Sequence, residues 1–317
     1  MRRFLLPGFA GLVALAAGSV ALSNDLDRPV FGLDPALIAE LAASASPRER
    51  ALAADAISQV DTFGGDGTAI GDRNVLLAEA AAAAPDDAFV QWLAYAYERP
   101  ATVESARKLV ASDPGNAAVW LVSLGVATAA NDAAGIDAAI AGMAQAGRYD
   151  DHVLDHFLAW VDIHARATTN DSPLVGQTNA LARSGMLGNP RYKALIDACD
   201  APKLAMLTAS RGDACEKVGR VMATGPTLIV QGIGYGVLRR SGRATAADAE
   251  AERALHWLIR TAMRVDEKDV METMHRMIAD WRETGSESEA MRRRLARAGK
   301  SLTPPPDWVA PVPGASR

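Results

Sequence analysis

The run His152-Val153-Leu154-Asp155-His156 sets two imidazoles four positions apart, so on a helix they lie one turn apart on one face, where both could reach a zinc ion. His152, Asp155 and His156 are therefore the candidate metal ligands, and no other residue stands at a spacing that completes a tetrahedral set. A second reading needs no metal. Val153, Phe157, Trp160 and Val161 fall on one arc of the same helix, which leaves the histidines at the edge of a core, sharing hydrogen bonds with Asp151 or Asp155. The run Gly232-Ile233-Gly234-Tyr235-Gly236 could cradle a phosphate if a strand led into it. Its flanks from Leu228 to Arg240 read as helix throughout, so the small residues predict a close helix crossing instead. Asp61, Asp66 and Asp72 surround a glycine-rich loop, but without the alternating oxygens and terminal glutamate of a calcium-binding loop, and they read as an exposed connection. Arg292, Arg293, Arg294 and Arg297 read as a solvated face partly paired with Glu287 and Glu289. Neither a Gly-x-Ser-x-Gly elbow, a His-Glu-x-x-His helix nor a phosphate-binding lysine loop occurs.

The elements that carry these groups are helices. Alanine dominates from Ala36 to Ala146, and apolar residues recur at three-and-four spacing, as in Leu255, Leu258, Ile259 and Met263. Ser46-Pro47-Arg48-Glu49 and Ser286-Glu287-Ser288-Glu289 have the form of capping boxes, and Asp72, Thr102, Asp132 and Thr245 are further N-caps. The fold class is all-α, with about fourteen helices. In the second half they are predicted over 174–184, 191–198, 202–210, 213–223, 226–241, 246–264, 267–284 and 287–299.

An internal echo organises the first half. Pro85-Asp86-Asp87-Ala88-Phe89-Val90-Gln91-Trp92-Leu93 returns, with one residue deleted, as Pro114-Gly115-Asn116-Ala117-Ala118-Val119-Trp120-Leu121, a period of 29. Together with Leu124-Gly125, this segment resembles the tetratricopeptide-repeat family over residues 72–147. The resemblance implies stacked helical hairpins forming an α-solenoid, whose concave face takes a protein or peptide; Trp92, Tyr95, Tyr97 and Trp120 are the candidate partner-binding residues, although tryptophans in such repeats more often fill the core. The order His-x-x-Asp-His likewise resembles the inverzincin protease motif, with aspartate in place of the glutamate that serves as base. The shorter side chain falls back from the metal-bound water, which favours the structural reading of these histidines.

Arg2 and Arg3, the apolar run from Phe4, and Ser19 and Ala21 flanking Val20 predict a signal peptide over residues 1–21; the alternative is an inner-membrane anchor over residues 4–22. Cys199 and Cys215 then lie in an oxidising compartment, where a disulfide between them would close a loop worth about 3 kcal/mol. Net charge is −12 over residues 24–170 and +5 over residues 171–317, and Thr168 to Pro173 reads as a break. The expected organisation is a helical-repeat region over 22–167, a second helical subdomain with the disulfide over 174–300, and a proline-rich tail over 301–317 that does not fold, although Trp308 could dock on the body.

The functional expectation is a non-enzymatic, periplasmic or secreted scaffold that binds a protein or peptide in the cell envelope, with no cofactor, no nucleic acid and no membrane span once the signal is removed. The alternative is a metal-dependent hydrolase or cell-wall enzyme on a helical scaffold.

Overall fold

Short polar side chains start the helices by accepting backbone N–H groups that have no partner inside the first turn. Asp72 accepts from Asn74 and Val75, Asp87 from Phe89 and Val90, Asn116 from Ala118, and Asp132 from Gly135. Full reciprocal capping boxes form at Thr102 with Ser105 and at Thr245 with Asp248. At Ser46 and Ser286 the serine caps its helix through the N–H of Glu49 and Glu289, while the Glu49 carboxylate takes the Ser44 hydroxyl.

The computed structural model describes residues 35–62, 67, 70–96, 101–166, 173–186, 192–201, 209–265 and 270–310. The signal segment, most of the loop after Asp61, Tyr97 and the break at 168–172 lie outside them. Among the described residues there are fifteen α-helices and no strand. They are α1 Pro35–Ala42, α2 Pro47–Thr62, α3 Arg73–Ala83, α4 Ala88–Tyr95, α5 Val103–Ser112, α6 Ala117–Ala129, α7 Ala133–Gln145, α8 Val153–Arg166, α9 Pro173–Met186, α10 Tyr192–Ala198, α11 Ala209–Ala223, α12 Leu228–Arg240, α13 Ala246–Ala262, α14 Val270–Thr284 and α15 Glu287–Arg297. The predicted helices starting at 226, 246 and 287 are found within two residues of those positions.

The chain divides into two compact units, one of Asp25–Gly147 with Met186–Leu195, the other of Arg148–Gly185 with Ile196–Arg317. The change of unit therefore falls at Gly147 rather than at the expected break near residue 170. Packing explains it: Phe157 of α8 meets Trp281 of α14 edge to face at 4.9 Å, and Asp162 pairs with Arg282, so α8 is held by helices more than a hundred residues away.

In the N-terminal unit, α1 to α7 pack mainly on their neighbours in sequence. α4 and α6 are buried over most of their length, through Phe89, Val90 and Trp92 in one and Val119, Leu121 and Leu124 in the other. Their caps, Asp87 and Asn116, stand 29 residues apart, and each helix runs on without interruption. Counted from the cap, Trp92 matches Leu121 and Trp120 matches Gln91, so the one-residue deletion read in the echo is not a feature of the helices. One helical step of rotation separates the two indoles: Trp92 is fully buried, while Trp120 is half-buried and lies on Gly142 of α7, where a Cβ would sit 2.4 Å from the ring.

In the C-terminal unit, α11 and α12 cross at backbone distance. A Cβ on Gly234 would lie 2.4 Å from the Ala223 nitrogen and 2.7 Å from the Gly219 oxygen, whereas Gly232 and Gly236 have nothing within 4 Å. Gly234→Ala is accordingly expected to destabilise the protein by about 1–3 kcal/mol through forced separation of the helices. Gly236→Ala should stabilise it by about 0.5–1 kcal/mol through helix propensity. Urea unfolding of the two variants checks the contrast; equal effects would mean that the crossing is not fixed by Gly234. α12, α13 and α15 then close over a core that includes Leu228, Leu255, Leu258, Met291 and Leu295. Cys199, just after α10, is bonded to Cys215 of α11 with their Cα atoms 5.7 Å apart. The loop this closes spans 16 positions.

The tail departs from expectation. Residues 301–310 are not unfolded: they lie on α13, with Pro304 buried and Trp308 edge to face with Trp257 at 5.4 Å.

Candidate functional site

The segment leading into α8 gathers the groups that the sequence singles out. The Asp150 carboxylate accepts the His152 N–H at 2.9 Å, and the His152 carbonyl accepts the His156 N–H at 2.9 Å, which starts the helix. This turn holds His152 at a φ of 55°, a left-handed conformation that strains a residue with a Cβ by about 1 kcal/mol or more. The buried His152 ring is aimed by it at Asp155, with Nδ1 2.8 Å from Oδ2, and lies 3.8 Å from an Asp150 oxygen. Asp150, His152 and Asp155 thus bring one nitrogen and two carboxylate oxygens within 4.8 Å of one another. Such a set has the chemistry to hold a divalent cation. It equally forms a hydrogen-bonded cluster at a helix N-terminus, where the aligned peptide dipoles favour the carboxylates and oppose a cation.

His156 does not join that group. It is fully buried, its Nε2 accepts the Trp160 indole N–H at 3.0 Å, and its Nδ1 lies 3.0 Å from the Ser184 hydroxyl, which donates to the Ala180 carbonyl at 2.9 Å. With Nε2 accepting, the ring proton sits on Nδ1, and donation runs in one direction from Trp160 through His156 and Ser184 to the α9 backbone. The buried Arg183 guanidinium stacks over the Trp160 ring, 4.9 Å from its centroid. Both ring nitrogens of His156 are thereby engaged, Nε2 within α8 and Nδ1 in tying α8 to α9, and the candidate zinc pair of His152 and His156 is not assembled. One helical turn gives a shared face only when the first residue is helical, and His152 is not.

Reasoning on the sequence missed a second buried acid beside this segment. Glu287, the first residue of α15, accepts the Leu228 N–H at 2.9 Å at the start of α12, while its own N–H donates to the Pro226 carbonyl at 2.8 Å. Gln231 completes the joint by donating to the Gly225 carbonyl and the Ser288 hydroxyl. Burial pushes the Glu287 carboxyl up from 4.5 to about 7; the Leu228 N–H pulls against this, and the buried Asp151 pushes with it. In sequence Glu287 reads as one more acid in a helix's first turn, and nothing local tells it from Glu289, which stays exposed enough to pair with Arg292.

The remaining candidates are dispersed. Trp92 belongs to the core, so it holds the N-terminal unit together rather than meeting a partner. Tyr95 is half-buried beneath the Lys108 ammonium, 5.3 Å from the ring centroid. Trp120 donates to the Pro114 carbonyl at 3.2 Å, and Tyr97 lies outside the described residues. Asp72 serves α3 as a cap. Arg293 and Arg297 are paired with Asp280, and Arg293 also with Glu283, so the arginine run is largely neutralised by α14.

No protein-family model, no curated protein and no solved structure matches this chain.

Proposed function

We propose that the protein is a non-enzymatic, exported helical-repeat scaffold that binds a protein or peptide partner in the cell envelope. The observation that carries this reading is the succession of capped helices in the N-terminal unit. α4 and α6 start in the same register and supply the core, and α3 and α5 leave Val75 and Val103 exposed at 50% and 72%. Exposed aliphatics on alternate helices of a stack are the raw material of an extended docking face, and they need no reactive groups beside them. The disulfide supports export, since such bonds persist in oxidising compartments. Among the described residues no helix is long and apolar enough to cross a membrane.

The test is photo-crosslinking in the envelope from a reactive side chain placed at position 103 and, separately, at position 75. One discrete adduct with the same protein from both positions is expected, and the adduct from position 75 should be lost on Val103→Asp. Adducts with no recurring partner would sink the proposal.

The Asp150, His152 and Asp155 arrangement favours a second reading, a metal-dependent hydrolase. Elemental analysis of the purified protein separates the two. One zinc per chain, lost on His152→Ala, would put the hydrolase first.

A further inference from the structure

Residues 301–310 are held to α13 as a strap by hydrogen bonds from its side chains. Gly299, at a φ of 62°, closes α15 and turns the chain back, with its N–H donating to Ala296 and that of Lys300 to Leu295. Residues 301–310 then follow α13. Arg253 donates through one nitrogen to the carbonyls of Pro305 and Trp308, both at 2.9 Å, and the Trp257 indole donates to the Ser301 carbonyl at 3.0 Å. These hydrogen bonds between strap and helix all run from a side-chain N–H on α13 to a backbone carbonyl on the strap. Pro306 and Asp307 form a turn closed by the Trp308 N–H on the Pro305 carbonyl at 3.0 Å, which brings the Trp308 ring against Trp257. The aliphatic side chains of the strap are not what is recognised, since Leu302 is 44% exposed and Val309 81%.

A face that offers donors and aromatic surface suits a backbone that is rich in carbonyls and poor in N–H groups. Proline provides that backbone: each one removes a donor that this face would leave unsatisfied, and holds the carbonyls outward. We propose that the Arg253 and Trp257 face of α13 is a binding site for a proline-rich segment carrying an aromatic residue, that the protein's own tail occupies it as a resident ligand, and that a proline-rich segment of another protein takes the same place when the tail leaves. The tail competes from within the same chain at high effective concentration, so the site is closed by default and opens to a partner that is abundant or multivalent. This site belongs to the C-terminal unit and is independent of the docking face proposed for α3 and α5; either can fail alone.

The experiment uses the full chain and, as probe, a fluorescently labelled peptide with the sequence of residues 300–310. Trp308→Ala loosens the strap without touching the receptor face. The Trp308→Ala chain is expected to bind the peptide at least about tenfold more tightly than the unaltered chain, whose own tail blocks the site. Adding Trp257→Ala, or Arg253→Ala, which removes the donor shared by the Pro305 and Trp308 carbonyls, should remove that gain, with circular dichroism confirming that helix content is retained. A scrambled peptide should not bind. Equal binding by the unaltered and Trp308→Ala chains, or binding indifferent to Trp257, overturns the proposal. An unaltered chain that runs as a dimer, and as a monomer once Trp308 is replaced, also overturns it, because the occupant would then be the tail of a second copy.

Discussion

Replacing Trp92 with alanine is expected to lower the unfolding free energy by about 3–5 kcal/mol, because a fully buried indole leaves a cavity that helices anchored by their caps cannot collapse to fill. Trp92 is 0% exposed in α4, among Phe89, Val90 and Leu93. Trp120→Ala in α6 should lose only about 1–2 kcal/mol, since that ring is half-buried and rests on one face against Gly142. Urea denaturation followed by circular dichroism measures both. The contrast matters for function as well as stability. The echo in the sequence treats the two tryptophans as equivalent, and an equivalent pair lining a groove would lose partner binding together while keeping the fold. A Trp92→Ala chain with an unchanged unfolding midpoint would return that indole to the list of binding residues and would undo the cap-based register.

Glu287 should make stability fall as pH rises from about 4.5 to about 7. Its folded value of about 7 stands above its ordinary 4.5, so the folded state holds the proton more tightly than the unfolded chain. The stability contributed by that proton is fully present below pH 4.5 and is lost as pH rises through about 7. Across this window the change is about 3 kcal/mol. Glu287→Gln keeps an oxygen for the Leu228 N–H but cannot ionise, so it isolates the charge. Relative to the unaltered chain, the variant should gain about 3 kcal/mol between acidic and mildly alkaline conditions. Parallel curves for the two proteins would show that water or rearrangement already solvates this carboxylate. The position matters because Glu287 joins α15 to the start of α12, and the same joint lies electrostatically beside Asp151, next to the strained His152.

Much of the helix pattern is legible without coordinates, because helix starts are local events. Asp72, Thr102, Asp132 and Thr245 are all read as caps and all cap, since the acceptor and the N–H groups it satisfies are at most three residues apart. The bond between Cys199 and Cys215 matches the expectation drawn from placing the chain's two cysteines, 16 positions apart, in an oxidising compartment. The Gly232 to Gly236 run reads as helix and is helix, with Gly234 at a close crossing. The histidine motif was only half legible. Its residues are adjacent in sequence, but which way each ring points depends on an Asp150 turn that takes His152 out of the helix and on Ser184, 28 positions later. The tail was misread because its prolines exclude helix and strand, and composition carries no record of the donors that Arg253 and Trp257 place opposite its carbonyls.

The sequence by itself determined that the described chain is all-α, where many of its helices begin, and which two cysteines can bond, because helix starts depend on groups within a few residues and the chain holds two cysteines. The tertiary structure alone decided that α8 belongs with α14, that Trp92 faces inward and Trp120 toward α7, that Glu287 is buried, and that residues 301–310 form a seated strap. The placement of α8, of Glu287 and of the strap rests on contacts across 120, 59 and 55 positions, and no periodicity in a linear chain encodes which distant surface will remove a given side chain from water.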